Sequence, residues 1–258
     1  MIKKFTIIGS GVAGANAALT LLEKGHKVEM LDYGKLDSPP LEISQTFKTV
    51  KSNARLAASF FYGNDFSGIN GPNDSDIFKY PKRRPSISTK NLYDNEENTD
   101  QFQPIFSNCK GGLAVAWGAN SIEFNQDDMI GFEYSKQDIE SSYKVAFKRL
   151  HVSGPVHEDD LSNIVNASYR FNSSHDMSSA DNNFIRSVKL KNKFFLKNKN
   201  VLVGQSRLAI DNRLNSDNKC YSCGLCIWGC PSNSIYTPLK TLEDCKKFEN
   251  FKYINNVK

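Results

Sequence analysis

Four cysteines, Cys220, Cys223, Cys226 and Cys230, stand on spacings of three, three and four residues and are closed by Pro231. That order reproduces the iron–sulfur run Cys-x2-Cys-x2-Cys-x3-Cys-Pro, whose thiolates ligate a cluster that carries electrons. Thiolates are soft ligands that suit iron–sulfur clusters or zinc. Zinc sites usually set two close cysteine pairs about a dozen or more residues apart, and a single tight run fits that less well. A structural loop holding thiols or disulfides is a further reading. In two-cluster ferredoxins the fourth cysteine of such a run serves the other cluster, yet no second run exists here. A cluster on Cys220, Cys223 and Cys226 therefore needs Cys230 folded back, a distant thiol such as Cys245 or Cys109, or only three irons.

The other end of the chain carries Gly9-Ser-Gly11-Val-Ala-Gly14. In a dinucleotide fingerprint the first glycine makes the tight turn out of a strand. The second lets backbone approach a pyrophosphate, and the third allows the helix to pack on the sheet. The helix N-terminus then presents unpaired N–H groups and a positive dipole end to the phosphates. Eighteen residues after Gly14 comes Asp32, where a carboxylate can accept from a ribose hydroxyl. An acid at that place favours an unphosphorylated ribose over NADP, and the loop alone does not separate FAD from NAD.

A second glycine segment, Gly111-Gly112-Leu-Ala-Val-Ala-Trp117-Gly118, reads by itself as a turn with a packed aromatic. The order of motifs says more. A fingerprint, then Gly-Gly-x-x-x-x-Trp-Gly, then Glu133-Tyr-Ser with a helix bearing Tyr143, then the cysteine run, resembles the glucose-methanol-choline (GMC) oxidoreductases, above all bacterial sugar- and alcohol-oxidising members. The resemblance runs discontinuously from Lys3 to about Asn256, and Pro39 to Gln103 matches poorly.

The resemblance implies an FAD-dependent oxidoreductase that takes a hydride from an alcohol or sugar CH–OH group to the flavin, with an iron–sulfur cluster as an outward electron path. It implies that Gly9, Gly11 and Gly14 hold the FAD pyrophosphate, that Asp32 takes the adenosine ribose, and that Gly111, Gly112, Trp117 and Gly118 pass beside the flavin ring. It also exposes a departure. Family members are much longer, and their second half supplies a catalytic histidine pair, which His26, His151, His157 and His175 do not match. The catalytic residues thus stay unassigned. The alternative is a non-catalytic electron-transfer or cofactor-binding subunit, or a truncated remnant. The implied partners are a small alcohol or sugar, an electron-acceptor protein or a complementary C-terminal polypeptide.

These motifs need elements to hold them. Lys3 to Ile8 reads as a strand, Ala15 to Lys24 as a helix and Lys27 to Leu31 as a second strand, a βαβ unit. Ser135 to Leu150 reads as a helix capped by Ser135, with Ile139, Tyr143, Ala146, Phe147 and Leu150 as its apolar stripe. The expected fold class is α/β, a Rossmann-like FAD-binding domain with a three-layer, mostly parallel sheet, irregular insertions and an incomplete C-terminus. Four segments follow: 1–38, the N-terminal βαβ; 39–104, an irregular insertion; 105–219, the continuation with the start of a substrate cap; and 220–258, the cysteine-rich segment with a terminal helix and strand.

Composition sets the outer bounds. The chain has 258 residues, 39% hydrophobic and 24% charged, which is ordinary for a soluble globular protein. No run approaches the roughly 18 apolar residues of a membrane span, and Met-Ile-Lys-Lys leads straight into a strand without a signal peptide. The expected location is cytoplasmic. There a cysteine cluster is metal-binding more readily than disulfide-forming. Net charge is +5, and the basic stretches Lys79–Arg84 and Lys189–Lys199 carry no recognition motif, so nucleic acid is not an expected partner. Asp94 to Asp100 reads as an exposed acidic excursion.

Overall fold

A computed structural model of the chain describes residues 1–36, 47–62, 87–88, 106–155, 159–162, 174–191 and 202–257. Most of the 39–104 insertion, including Lys79–Arg84 and the acidic excursion, lies outside them, as do His157 and residues 192–199 of the second basic stretch. The described residues form two compact units, Met1–Gly118 with Tyr221–Lys258, and Ala119–Cys220. The first unit thus takes up the start of the 105–219 segment and nearly all of the cysteine segment.

The first unit is built on a parallel sheet. Strand β1 (Lys4–Ile8) leads through the glycine loop into helix α1 (Val12–Glu23) and then β2 (Lys27–Leu31). β1 and β2 pair in parallel register, Lys4 against Lys27 through Ile8 against Leu31. The helix starts three residues earlier than its apolar pattern suggested, because the last glycine of the loop is already helical. It ends in a Schellman motif: Gly25 N–H donates to Leu22 O at 2.8 Å and His26 N–H to Leu21 O at 3.0 Å. Within the 39–104 segment two short helices stand where only irregular chain was expected, α2 (Phe47–Ser52) and α3 (Ala54–Tyr62). Asn53 punctuates them by accepting Leu56 N–H at 3.0 Å, an N-cap.

The described residues also hold a two-residue ladder between β3 (Ile87–Ser88) and β4 (Phe106–Ser107). The third strand of the parallel sheet comes from the far end of the sequence. Helix α6 (Pro238–Cys245) precedes β7 (Phe251–Ile254), which pairs with β2 in parallel, giving the order β1-β2-β7. Alternation along the strands sends Val28 and Met30 to one face. There they join Ala15, Ala18, Leu19 and Leu22 of α1 and Leu242 and Cys245 of α6 in a buried cluster. Small residues on α1 let the two helices approach, and truncating a leucine such as Leu22 or Leu242 would remove about 2–5 kcal/mol. The other face carries a ladder of charge, with Lys4 and Lys252 at 3.3 and 3.4 Å from Glu29. Hydrogen bonding from Lys4, then from Lys252, holds the Glu29 carboxyl below its ordinary value.

The second unit contains α4 (Lys136–Arg149), β5 (Val152–Ser153), α5 (Ser179–Lys191) and β6 (Leu208–Ala209). The capping expected at Ser135 is present: its N–H donates to the Asp138 carboxylate at 2.7 Å, and Phe147 and Leu150 of the stripe are buried. β5 and β6 pair antiparallel, and Ala119 accepts from Ala209 N–H at 2.7 Å. Beneath them runs a polar core. Arg207, 1% exposed, makes a two-pronged contact with Asp159 at 2.9 and 2.8 Å, and Asp159 also accepts Gln205 N–H at 2.8 Å.

Next to this pair, His175 Nδ1 lies 2.9 Å from Ser153 Oγ, and Gln205 donates to the His175 carbonyl at 2.6 Å. Burial, reinforced by the charge of Arg207 and opposed by Asp176, holds the His175 imidazole below its ordinary value. A histidine whose folded-state value is depressed is neutral when folded, so its contribution to stability is complete above the ordinary value of 6.5 and is lost as pH falls below it. The unfolding midpoint is accordingly expected to drop between pH 8 and pH 5.5, and His175→Gln to flatten that drop. An equally steep drop in the variant would assign it to other groups.

Candidate functional site

The strand–loop–helix junction is fixed by sterics. Gly9 has φ +88°, which a side chain would oppose, and its N–H donates to Leu31 O at 2.8 Å. A Cβ at Gly14 would overlap the Gly9 carbonyl oxygen, so the helix sits against the turn only because residue 14 is glycine. In front of Gly11 the space is open, with no atom within 4 Å of a built Cβ. Helix α1 has no side-chain cap and no acidic residue in its first turn. An uncapped N-terminus behind an open glycine is the chemistry of an anion cradle.

The second glycine segment comes to the same place through the chain that follows β2. Lys35 N–H donates to Asn108 O at 2.9 Å, and Lys110 N–H to Lys35 O at 2.8 Å. This short parallel bridge delivers Gly111 and Gly112 onto the first loop, where a Cβ on Gly112 would press to 3.3 Å from Gly11 Cα. Gly111 N–H donates to Ser10 Oγ at 2.8 Å. Ser10, which stands between the first two fingerprint glycines, therefore ties the two glycine segments together.

Asp32, 8% exposed, is the hub of this network. Its carboxylate accepts the Ser10 N–H at 3.3 Å, the Ser10 hydroxyl, and the Tyr253 hydroxyl at 2.6 Å. Tyr253 is carried there by β7, since Asp32 N–H donates to Ile254 O at 2.9 Å. Lys110 Nζ lies 4.9 Å from the Tyr253 ring centroid, within cation–π range. Burial and then the neighbouring Lys246 charge lower the Lys110 ammonium below its ordinary value, with Glu243 opposing.

Trp117 is half-buried and donates from Nε1 to the Tyr236 carbonyl at 2.8 Å. Tyr236 in turn receives Asn16 Nδ2 of α1 at 3.0 Å and lies 2.7 Å from Thr241 of α6. Trp117 is thus packed through Tyr236 onto the helices that support the loop, while Gly118 is exposed. No family model and no curated protein matches this chain.

Ser10, Tyr236 and Tyr253 carried no motif in the sequence. A serine between two fingerprint glycines and tyrosines in the apolar pieces after the cysteine run were the available signals. Their partners lie too far away in sequence for spacing to disclose them.

The cysteine run is less organised. Cys223 is buried, Cys226 is exposed at the start of a short 3-10 turn (Cys226–Trp228), and Cys220 and Cys230 are half-buried. Cys230 Sγ accepts Ser234 N–H at 3.2 Å and lies 3.4 Å from Ser232 Oγ. Cys245, offered above as a distant ligand, instead lies in the α1/α6 core with its thiol 3.8 Å from Ala15 O. Among the described residues no group of three or more His, Cys, Asp or Glu side chains is gathered to hold a metal. Burial instead sets an order of reactivity: Cys226 is expected to react first with a thiol reagent, Cys220 and Cys230 next, and Cys109, Cys223 and Cys245 only on unfolding. Mass-spectrometric mapping reads this order, and early labelling of Cys245 would contradict the packing.

Proposed function

We propose that the first unit is the dinucleotide-binding part of a Rossmann-like FAD-dependent oxidoreductase of the GMC type, acting on an alcohol or sugar CH–OH group. The observation that carries this reading is the junction of the two glycine segments, Gly112 against Gly11 and Gly111 bonded to Ser10, beside an uncapped helix and a buried acid. In this reading Gly9, Gly11 and Gly14 shape the pyrophosphate cradle, Asp32 accepts from the adenosine ribose, and the segment with Gly111, Gly112, Trp117 and Gly118 passes beside the flavin ring. Bound FAD would supply the hydride acceptor, while the protein binds and orients it. The test is retention of flavin absorbance after reconstitution with FAD and gel filtration. Protein that emerges colourless overturns the reading.

One observation favours a second reading, a cofactor-binding subunit without its own catalytic base. His26 is the histidine of the first unit, and it stands before β2 beside Phe5, while Asp32 and the glycine loop stand beyond the opposite end of that strand. Flavin retention without oxidation of any alcohol or sugar in the presence of an artificial electron acceptor is the result this second reading expects.

A further inference from the structure

We propose that Tyr253 and Ser10 are positioning residues that leave Asp32 one usable oxygen, Oδ1, so that a dinucleotide's adenosine ribose is held there through a single hydroxyl. This rests on the dinucleotide reading above and adds to it a rule of recognition.

A carboxylate offers two oxygens with about four lone-pair sites, and an acid at the end of the second strand has both oxygens available in principle. Here Oδ2 is committed to two hydroxyl donors, Tyr253 Oη at 2.6 Å and Ser10 Oγ. Oδ1 takes a single long bond, Ser10 N–H at 3.3 Å, and so keeps capacity for one more donor. The arrangement has space reserved for it. At Gly34 a Cβ would fall 2.7 Å from Tyr253 Oη, and the glycine has φ +66°, so a side chain there would both strain the backbone and push the hydroxyl off Asp32. The Tyr253 phenol stays a donor, because burial and then the hydrogen bond to Asp32 raise it well above its ordinary value. Lys110 over its ring closes the other side.

Ser10 has a second consequence. Its Oγ donates to Asp32 and accepts from Gly111 N–H at 2.8 Å, so the acid that meets the ribose also sets the position of the second glycine segment.

The test uses the full chain and three probes, ADP, 2′-deoxy-ADP and 3′-deoxy-ADP, by titration calorimetry. In the parent, one deoxy analogue should bind roughly ten- to a hundredfold more weakly than ADP, the loss of one hydrogen bond to a charged group, while the other binds like ADP. Tyr253→Phe keeps the ring but releases Oδ2, and both deoxy analogues should then be roughly tenfold or more weaker than ADP. Ser10→Ala removes the other donor to Oδ2 and should shift the pattern the same way, which covers the case in which Tyr253→Phe does not fold. Equal losses for both analogues in the parent, or a one-hydroxyl pattern unchanged in whichever variants fold, overturns the inference and leaves the dinucleotide reading standing. Failure of the parent to bind ADP at all overturns both.

Discussion

Gly14→Ala is expected to destabilise the first unit by about 3 kcal/mol or more, at the upper end of overpacking costs, and to abolish the proposed nucleotide binding with it. The added methyl would overlap the Gly9 carbonyl oxygen. Both partners are backbone, one in α1 and the other in a turn pinned by the 2.8 Å bond from Gly9 N–H to Leu31 O. Neither can give way as a flexible side chain would. Relief requires α1 to lift off the sheet, and that uncovers Ala15, Ala18 and Leu22. Gly11→Ala is the matched control: no atom lies within 4 Å of its built Cβ, and Gly11 has an ordinary extended backbone. It is expected to change stability by no more than about 1 kcal/mol, the size of an N-cap effect, yet to weaken the proposed nucleotide binding by crowding the open space. Denaturant unfolding followed by tryptophan emission separates the two. A Gly14→Ala protein as stable as the parent would mean that the close approach of helix and turn is not needed.

The second large effect lies in the other unit. Asp159→Asn should cost about 3–5 kcal/mol, the penalty for stranding one member of a buried ion pair. The exposure of the Arg207 side chain is 1%, so water cannot replace what Asp159 supplies. The carboxylate also receives Gln205 N–H and lies 3.0 Å from Ser162 Oγ. Although burial opposes ionisation, those bonds together with the guanidinium hold its carboxyl below the ordinary value. An acid whose folded value is depressed contributes stability that is complete above its unfolded value and is lost as pH falls through the folded one. Acid thus weakens this unit through Asp159 as well as through His175. Arg207→Met together with Asp159→Asn should lose less than the sum of the single changes, with a coupling of about 1–3 kcal/mol. Additive losses would show that the pair does not act as one. Both tryptophans, Trp117 and Trp228, belong to the first unit, so circular dichroism reads the change and tryptophan emission serves as its control.

Legibility followed sequence distance. The first βαβ was open to reading because a period-two strand, a glycine loop and a helical stripe are all local signals. The α4 helix was open for the same reason, since Ser135 and Asp138 form a capping pair within one turn. Helix α5 carries a weaker local signal, although Ser178 caps it with an Asp181 contact of 2.6 Å. Its stripe of Ala180, Phe184, Ile185 and Val188 is diluted by asparagine, and Phe184 remains exposed. In the site, the glycines and Asp32 announced themselves by spacing, while Ser10 and Tyr253 did not, because a single serine or tyrosine has no period. The Asp159–Arg207 pair was hidden likewise: an arginine inside an apolar run signals a buried partner without saying where it is.

Tyr253 and Asp32 are 221 positions apart, and this separation sets an order of events during synthesis. β2 emerges from the ribosome early, with one edge paired to β1 and the other awaiting a strand that starts at residue 251. At about 5–20 residues per second that edge stays bare for roughly 10 to 45 s. Long-range parallel pairing is intrinsically slow, and a bare strand edge invites other chains. Lys27 and Glu29 place charges along the waiting strand, a guard against edge-to-edge association during the delay. The acid beside the glycine loop acquires its tyrosine partner only after 221 further positions have been made, so nascent chains carry the glycine fingerprint well before they carry its finished form.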